Sequence, residues 1–159
     1  MVTNSELMCL VRDTSQRDDW RRQALEKLVA NLAIEELYRL VRDTSVTNSW
    51  REYALDAICE MATWSTQSVS VSSLELCVGG NRVAINSAAV SLGVPAIAHR
   101  ATDLLFEIIN DTAQPTSWRE QCLNDLIGIG HKHYLETIAN GTWYPERWRD
   151  QAMQALLHR

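Results

Sequence analysis

Apolar and polar positions alternate along this chain in a helical period that restarts every few turns. Leu37, Leu40 and Val41 fall three and four apart, so they make one stripe on a short helix. Trp50, Ala54, Leu55 and Ile58 make a second stripe, on a second helix. Between the two lies RDTSVTNS, rich in residues whose side chains bond nearby backbone. The pattern predicts helix, turn, helix.

The same unit is written four times. Val2–Asn31, Leu32–Met61, Arg100–Ile129 and Gly130–Arg159 align without a gap. One column reads Leu7, Leu37, Leu105, Leu135, and the column three further on reads Leu10, Leu40, Ile108, Ile138. A turn column holds Thr14, Thr44, Thr112 and Thr142. Trp20, Trp50, Trp118 and Trp148 form the next, each followed by Arg: Arg21, Arg51, Arg119, Arg149. Ala24, Ala54, Cys122 and Ala152 follow, then Leu28, Ile58, Leu126 and Leu156. Asp18, Asn48 and Thr116 share a column just before the second helix and are expected as N-caps. Pro115 and Pro145 fall one position earlier, where a helix tolerates proline.

The stretch from Ala62 to His99 breaks the pattern. A repeat frame laid on residues 66–95 puts Val71 and Leu74 in the first-helix columns, and Ala88, Ala89 and Leu92 in the second. Ala84 and Ile85 then replace the Trp-Arg pair. This reads as a degenerate fifth helical repeat. The rival reading is a β-hairpin, because SVSVSSLELCVGGNRVAI alternates apolar and polar residues around Gly79-Gly80-Asn81. Helix is the preferred expectation, since a hairpin interrupts continuous stacking. The expected fold is one all-α domain over residues 1–159, a right-handed superhelix of about five helical hairpins with the middle one degenerate.

A two-helix unit cannot bury its stripe alone, so neighbours must stack. Each indole is expected in the shared core, where removing ~150–250 Å² from water contributes roughly 4–6 kcal/mol gross. An exposed ion pair offers ~0–1 kcal/mol, so the structural role of the Trp column outweighs ligand stacking. The Arg after each Trp has a matching turn carboxylate in Asp13, Asp43 and Asp111, replaced by Gly141 in the last repeat. An Arg fork on a turn carboxylate or carbonyl is the expected tie. If that tie runs between repeats, its loss at Gly141 marks a unit without a neighbour.

Composition changes this picture little. Apolar residues make up 46% and charged residues 22%, as in ordinary globular proteins. A net charge of −5 argues against nucleic acid as a partner. No apolar run is long enough for a bilayer, and MVTNSELMCLVRD lacks the basic-then-apolar plan of a signal peptide. Cys9, Cys59, Cys77 and Cys122 are far apart and form no C-x-x-C pair, so buried free thiols in a reducing, cytoplasmic setting are expected.

The string L-x-x-L-V-R-D…W-R-x-x-A-L-x-x-L resembles the short HEAT-like repeat, a kind also found in phycobilin lyases. In that family an aliphatic first helix ends in an Asp turn, and the second helix opens with an apolar residue and Arg, followed by Ala and Leu. Asp43, Arg51, Ala54 and Ile58 occupy those places in the second repeat. Trp stands where the family usually has Val, and the turn is slightly longer. The resemblance implies an α-solenoid, most often a protein-binding scaffold; a minority are lyases, hydroxylases or DNA-repair enzymes. The hydroxylases ligate metal through His-Glu dipeptides, and none of His99, His131, His133 and His158 precedes a Glu. His131 and His133 are two apart and point to different faces of a helix, so no metal site is expected. No base is paired with a nucleophile, and neither a catalytic residue nor a cofactor is expected.

Binding signals are stronger. On the second helices, Glu52, Asp56, Glu60, Glu120 and Asp150 fall at outward positions and form an acidic strip on the expected concave side. Such a strip attracts a basic or amphipathic protein segment. The fourth turn, TWYPERW, adds Trp143 and Tyr144, an aromatic anchor for an interface or a cover for the end of the stack. The last helix, with Ala152, Met153, Ala155, Leu156 and Leu157, is covered by no later repeat and suits a homodimer face. The expected function is a non-enzymatic protein-interaction scaffold. The alternative is a small-molecule or cofactor binder, or a lyase-like enzyme, using a pocket beside the irregular middle segment.

Overall fold

A computed structural model describes residues 2–64, 75–90 and 93–158. It is mostly helical with one small two-stranded sheet. The helices are α1 (Asn4–Arg12), α2 (Asp18–Ala30), α3 (Ile34–Arg42) and α4 (Asn48–Thr63). Strands β1 (Glu75–Val78) and β2 (Asn81–Ala84) follow, then α5 (Ser87–Val90), α6 (Val94–Asn110), α7 (Thr116–Ile129), α8 (Lys132–Asn140) and α9 (Glu146–Leu157). The chain divides into two compact units, Met1–Ala101 and Thr102–Arg159, with the boundary inside α6.

Each of the four regular repeats is a helix, a turn and a helix, as the columns predict; the first helix is the short one in three of them, whereas α6 starts at Val94, ahead of the repeat frame, and is longer than α7. The turn is closed the same way every time. The backbone N–H three residues along donates to the carbonyl of Asp13, Asp43, Asp111 or Gly141, at 3.1–3.2 Å. The first helices bury Leu7, Leu37, Leu40, Leu105, Ile108, Leu135 and Ile138. The second helices bury Leu25, Leu28, Leu55, Ile58, Leu123 and Leu126 against them. Helix α7 ends on Gly130 in the left-handed region, φ +75°, the usual glycine cap. Leu32 holds the equivalent place at φ +52°, a conformation that costs a side-chain-bearing residue about 1 kcal/mol. Leu32 is buried, and its apolar contact offsets that cost.

Two expectations are corrected. Asp18, Asn48 and Thr116 are not N-caps; they lie one position inside their helices, after Arg17, Thr47 and Pro115, and none of these helix starts carries a side-chain cap. Instead Asn48 Oδ1 accepts from Arg51 Nη1 at 3.3 Å, and Asp18 lies 3.8 Å from Arg21 Nη1. The second correction concerns the middle segment, which is a hairpin and not a degenerate helical repeat. Strands β1 and β2 pair antiparallel, Val78 opposite Asn81, around a Gly79-Gly80 turn with φ +57° and +83°. A two-residue turn with both φ positive matches strand twist and selects glycine. Two adjacent glycines also weaken a helix by about 1 kcal/mol each. The period-2 pattern then wins: Leu76 and Val78 are buried, while Glu75 and Cys77 face out. Ala88 and Ala89 do fall in a helix, the single turn α5. Val71, Leu74 and Leu92 lie outside the described residues.

In the first unit the hairpin packs on the second helices, β1 against α4 and β2 against α2. Gly79 passes so close to α4 that a Cβ there would come 3.3 Å from the Tyr53 ring. Asn86 ties the end of the hairpin down, its N–H donating to the Ala30 carbonyl at 2.9 Å and its amide to the Asn31 side chain. Arg100 clamps Glu35 with both guanidinium arms, at 2.6 and 3.2 Å.

Candidate functional site

The Trp-Arg column is a lock, and its wiring differs from the expected one. Arg21 Nε donates to the Val11 carbonyl at 2.9 Å, Arg51 Nε to Val41 at 2.9 Å, and Arg119 Nε to Ile109 at 2.8 Å. Each Arg therefore closes its own repeat, capping a carbonyl at the end of the first helix. These carbonyls lack an intrahelical partner, and a charged donor satisfies them well. The Arg also reaches forward. The guanidinium of Arg21 lies 4.2 Å from the centre of the Trp50 ring, and that of Arg119 lies 4.8 Å from the centre of Trp148. A desolvated cation on an indole face contributes ~1–2 kcal/mol. The arginine of one repeat is thus the seat for the tryptophan of the next.

This wiring sorts the four indoles. Trp118 and Trp148 are buried, Trp148 to 1% exposure. Trp50 is half-buried under Arg21. Trp20 is corrected from core to surface: it is 47% exposed. Arg17 of its own turn lies 5.3 Å from the centre of its ring.

A second tie joins consecutive turns. Arg12, the last residue of α1, pairs with Asp43 of the next repeat at 2.8 Å. Asn110, in the same column, accepts from the Tyr144 hydroxyl of the next repeat. Asp43 also accepts from Ser45 N and Oγ, at 3.0 and 2.6 Å, and these bonds, with Arg12, hold its carboxyl below its ordinary pKa. Ser15 does the same for Asp13. The absent Asp at Gly141 is therefore not the mark of a missing neighbour. A Cβ at Gly141 would lie 2.6 Å from Tyr144 Cδ2, so the tyrosine ring fills the room that Asp and its Ser partner use elsewhere.

The named binding residues separate. Glu52, Asp56 and Glu60 lie at four-residue steps on one face of α4, Glu52 exposed and the other two half-buried beside the hairpin. Glu120 is committed: it accepts from Arg147, and from the Trp148 indole N–H at 3.3 Å. Asp150 is exposed on α9. Trp143 is 73% exposed, whereas Tyr144 is buried, not an exposed aromatic. Burial pushes the Tyr144 phenol above its ordinary pKa. Trp143 leans on Tyr144 at 5.3 Å and overlooks a cleft of about 410 Å³ that Phe106, Asn110, Thr137 and Arg119 also line.

A second cleft, of about 600 Å³, lies in the first unit, beside the irregular middle segment where the alternative reading places a pocket. Leu7, Leu10, Trp20, Ala24, Val83 and Ala84 supply its apolar wall, with Glu26, Lys27 and Arg82 beside them. It exists because the middle segment is a hairpin. Nearby, burial pushes the Tyr53 phenol up to about 12, and the charge of Glu26 adds to it. The cysteines are all free, but Cys9 and Cys77 are exposed, correcting the expectation of four buried thiols. His131 caps α8, its Nδ1 accepting from Tyr134 N at 3.3 Å, and its ring stacks on Tyr134. Among the described residues no three His, Cys, Asp or Glu side chains gather as a metal ion would need, and no helix is long and apolar enough to cross a membrane. No family model, curated protein or solved structure matches this chain.

Proposed function

We propose that this chain is a protein-interaction module, a stack of HEAT-like helical hairpins wound as a right-handed superhelix, that takes up a basic or amphipathic protein segment. The observation that carries this reading is Trp143. A 73% exposed indole is costly to leave in water, and here it stands on a rigid base. Tyr144 beneath it is buried and bonded to Asn110, so the anchor is preorganised. Exposed tryptophans held in this way are the commonest binding hot spots. The acidic row Glu52, Asp56 and Glu60 of the first unit favours a basic partner, and Asp150 separately adds negative charge to the second.

The test is capture of partners from native-cell lysate on the full chain, read by mass spectrometry. Trp143→Ala should weaken the recovered complex by about 2 kcal/mol, roughly thirtyfold in Kd. Lys at Glu52, Asp56 and Asp150 should abolish binding to a basic partner and remove its salt dependence. Glu120 is left out of that set because its reversal would break the Trp148 tie. Binding that survives both sets of changes excludes this reading. The apolar cleft beside β2 supports a second reading, an apolar small ligand, which native mass spectrometry of the purified chain would detect as added mass.

A further inference from the structure

The third and fourth repeats lack a charge pair that joins the first two. Between the first two, Arg12 bonds Asp43 at 2.8 Å. Asn110 and Gly141 stand in the same two columns between the third and fourth. Both charges are gone there, and the cleft of about 410 Å³ lies beside them. Ser45, which bonds Asp43, gives way in its column to Trp143, 73% exposed on the cleft wall. The cleft lies wholly within the second unit, and a space of this size suits a small organic ligand.

Among the described residues, Arg119 is the one charged group on that wall. It is held twice: Nε donates to the Ile109 carbonyl at 2.8 Å, and the guanidinium lies 4.8 Å from the centre of the Trp148 ring. Its two Nη groups take no acceptor among the described residues. Arg21, in the same column, has the Asp18 carboxylate 3.8 Å away, whereas Thr116 holds that place here. Asp111 is engaged in its own turn, where it accepts from the Ala113 N–H at 3.0 Å and the Gln114 amide at 3.2 Å. Asn110 Oδ1 accepts from the Tyr144 hydroxyl, which leaves the Asn110 amide N–H groups for a ligand, and Thr112 adds an exposed hydroxyl. Burial raises the Tyr144 phenol above its ordinary pKa, and the charge of Arg119 opposes that shift, so the cation is felt at the cleft wall. The apolar part of the wall is aromatic: Trp143, the Tyr144 ring, and Phe106 braced by Tyr134 at 4.2 Å.

We propose that this cleft binds a small aromatic carboxylic acid in its ionised form. Its flat ring lies against Trp143 and Phe106, and its carboxylate accepts from the Nη groups of Arg119, with the Asn110 amide and the Thr112 hydroxyl as further donors. A guanidinium matches a planar pair of carboxylate oxygens, and its charge-assisted bonds are the strong ones. An indole offers a broad face to a ring. The charge must be negative because the wall carries a cation and neutral donors, and no Asp or Glu among the described residues lines it. A basic ligand would meet like charge at Arg119. Arg119 and Asn110 carry the site, and no protein partner is needed, although Trp143 is shared with the partner reading above.

The test is titration calorimetry of the full chain with benzoate, naphthoate and phenylpropanoate, each beside its neutral amide. At least one acid should bind with a Kd below about 1 mM, and about tenfold or more tightly than its amide. Asn110→Asp keeps an acceptor for the Tyr144 hydroxyl and sets a carboxylate in the cleft. It should remove the preference for acid over amide with helix content unchanged. Thr112→Glu, at an exposed position, makes the same charge test if Asn110→Asp disturbs the fold. Trp143→Ala should weaken acid and amide alike, because it removes the seat of the ring and leaves the charge. Equal binding of acids and amides overturns the proposal. So does acid binding that Asn110→Asp and Thr112→Glu both leave unchanged, which would place the ligand in the cleft beside β2. The absence of binding by all of these acids up to about 10 mM also overturns it. Binding only by a peptide that ends in Phe with a free carboxylate overturns it too, and would make the cleft a reader of chain ends. None of these failures touches the partner reading, since protein capture at Trp143 does not call on Arg119.

Discussion

Replacing Gly141 by alanine isolates one contact. The backbone there is extended, φ −84° and ψ 113°, a conformation any residue adopts, so the change adds no dihedral strain. What it adds is overlap. The new Cβ would stand 2.6 and 2.7 Å from two carbons of the Tyr144 ring and 3.0 Å from the Thr137 carbonyl oxygen. Carbon atoms prefer about 3.5–4.0 Å, so the ring must retreat by roughly 1 Å. The ring is buried and its hydroxyl is bonded to Asn110, so retreat strains the packing and breaks that bond. Overpacking costs about 1–3 kcal/mol and the bond contributes about 1 kcal/mol, so Gly141→Ala should destabilise by about 2–4 kcal/mol. In urea unfolding followed by far-UV dichroism, the midpoint should fall with an unchanged slope. In thermal unfolding, Tm should drop by roughly 4–16 °C. The companion test is rescue. Gly141→Asp with Tyr144→Gln rebuilds the turn of the third repeat, where Gln114 donates to Asp111 at 3.2 Å. Gly141→Asp should be costly alone and near neutral in the Tyr144→Gln background, a coupling of about 1–3 kcal/mol. A cost below about 0.5 kcal/mol for Gly141→Ala, or an equal cost for Gly141→Asp with and without the tyrosine, would refute the reasoning.

The tryptophan column should respond by position, not by residue type. Trp118→Ala and Trp148→Ala should each cost about 3–5 kcal/mol in chemical unfolding, while Trp20→Ala should cost under about 1 kcal/mol; equal costs across the column would contradict the difference in burial. Asp43 should make folding acid-sensitive. Its folded pKa lies below the ordinary 3.8, so its contribution is complete above that value and fades as pH falls through the lower folded value. Asp43→Asn should flatten the fall in stability between about pH 5 and pH 2 relative to the wild type, measured as urea midpoints across that range.

Much of the fold was legible because four copies constrain one another. A single heptad of Leu and Arg is ambiguous, but the same columns at the same spacing fix helix, turn and helix together. The hairpin was legible too, in the alternation of Leu76 and Val78 with Glu75 and Cys77 around Gly79-Gly80. The argument from continuous stacking outweighed those local signals, and the local signals were right: a diglycine turn weakens a helix whatever surrounds it. The candidate site was less legible. Trp143 was visible as an aromatic in a polar turn. That Tyr144 beside it points inward was not, because its destination is Asn110, thirty-four residues earlier. Glu120 looked like surface charge, and its partners Arg147 and Trp148 sit in the following repeat.

The sequence by itself determined the repeat, its helix-turn-helix plan, and the Arg that follows the Trp of each regular repeat. These follow from local rules: periodicity, turn chemistry, and the length of a helical stripe. Tertiary structure alone decided which Trp each Arg serves. A guanidinium can satisfy its own helix end with Nε and offer its flat face to whatever packs above it, and the chain order does not say what that is. The seats of Trp50 on Arg21 and of Trp148 on Arg119 follow from that spatial choice. Burial depends on neighbours in space, and identical columns end up in core or water according to whether a neighbouring repeat is there to cover them.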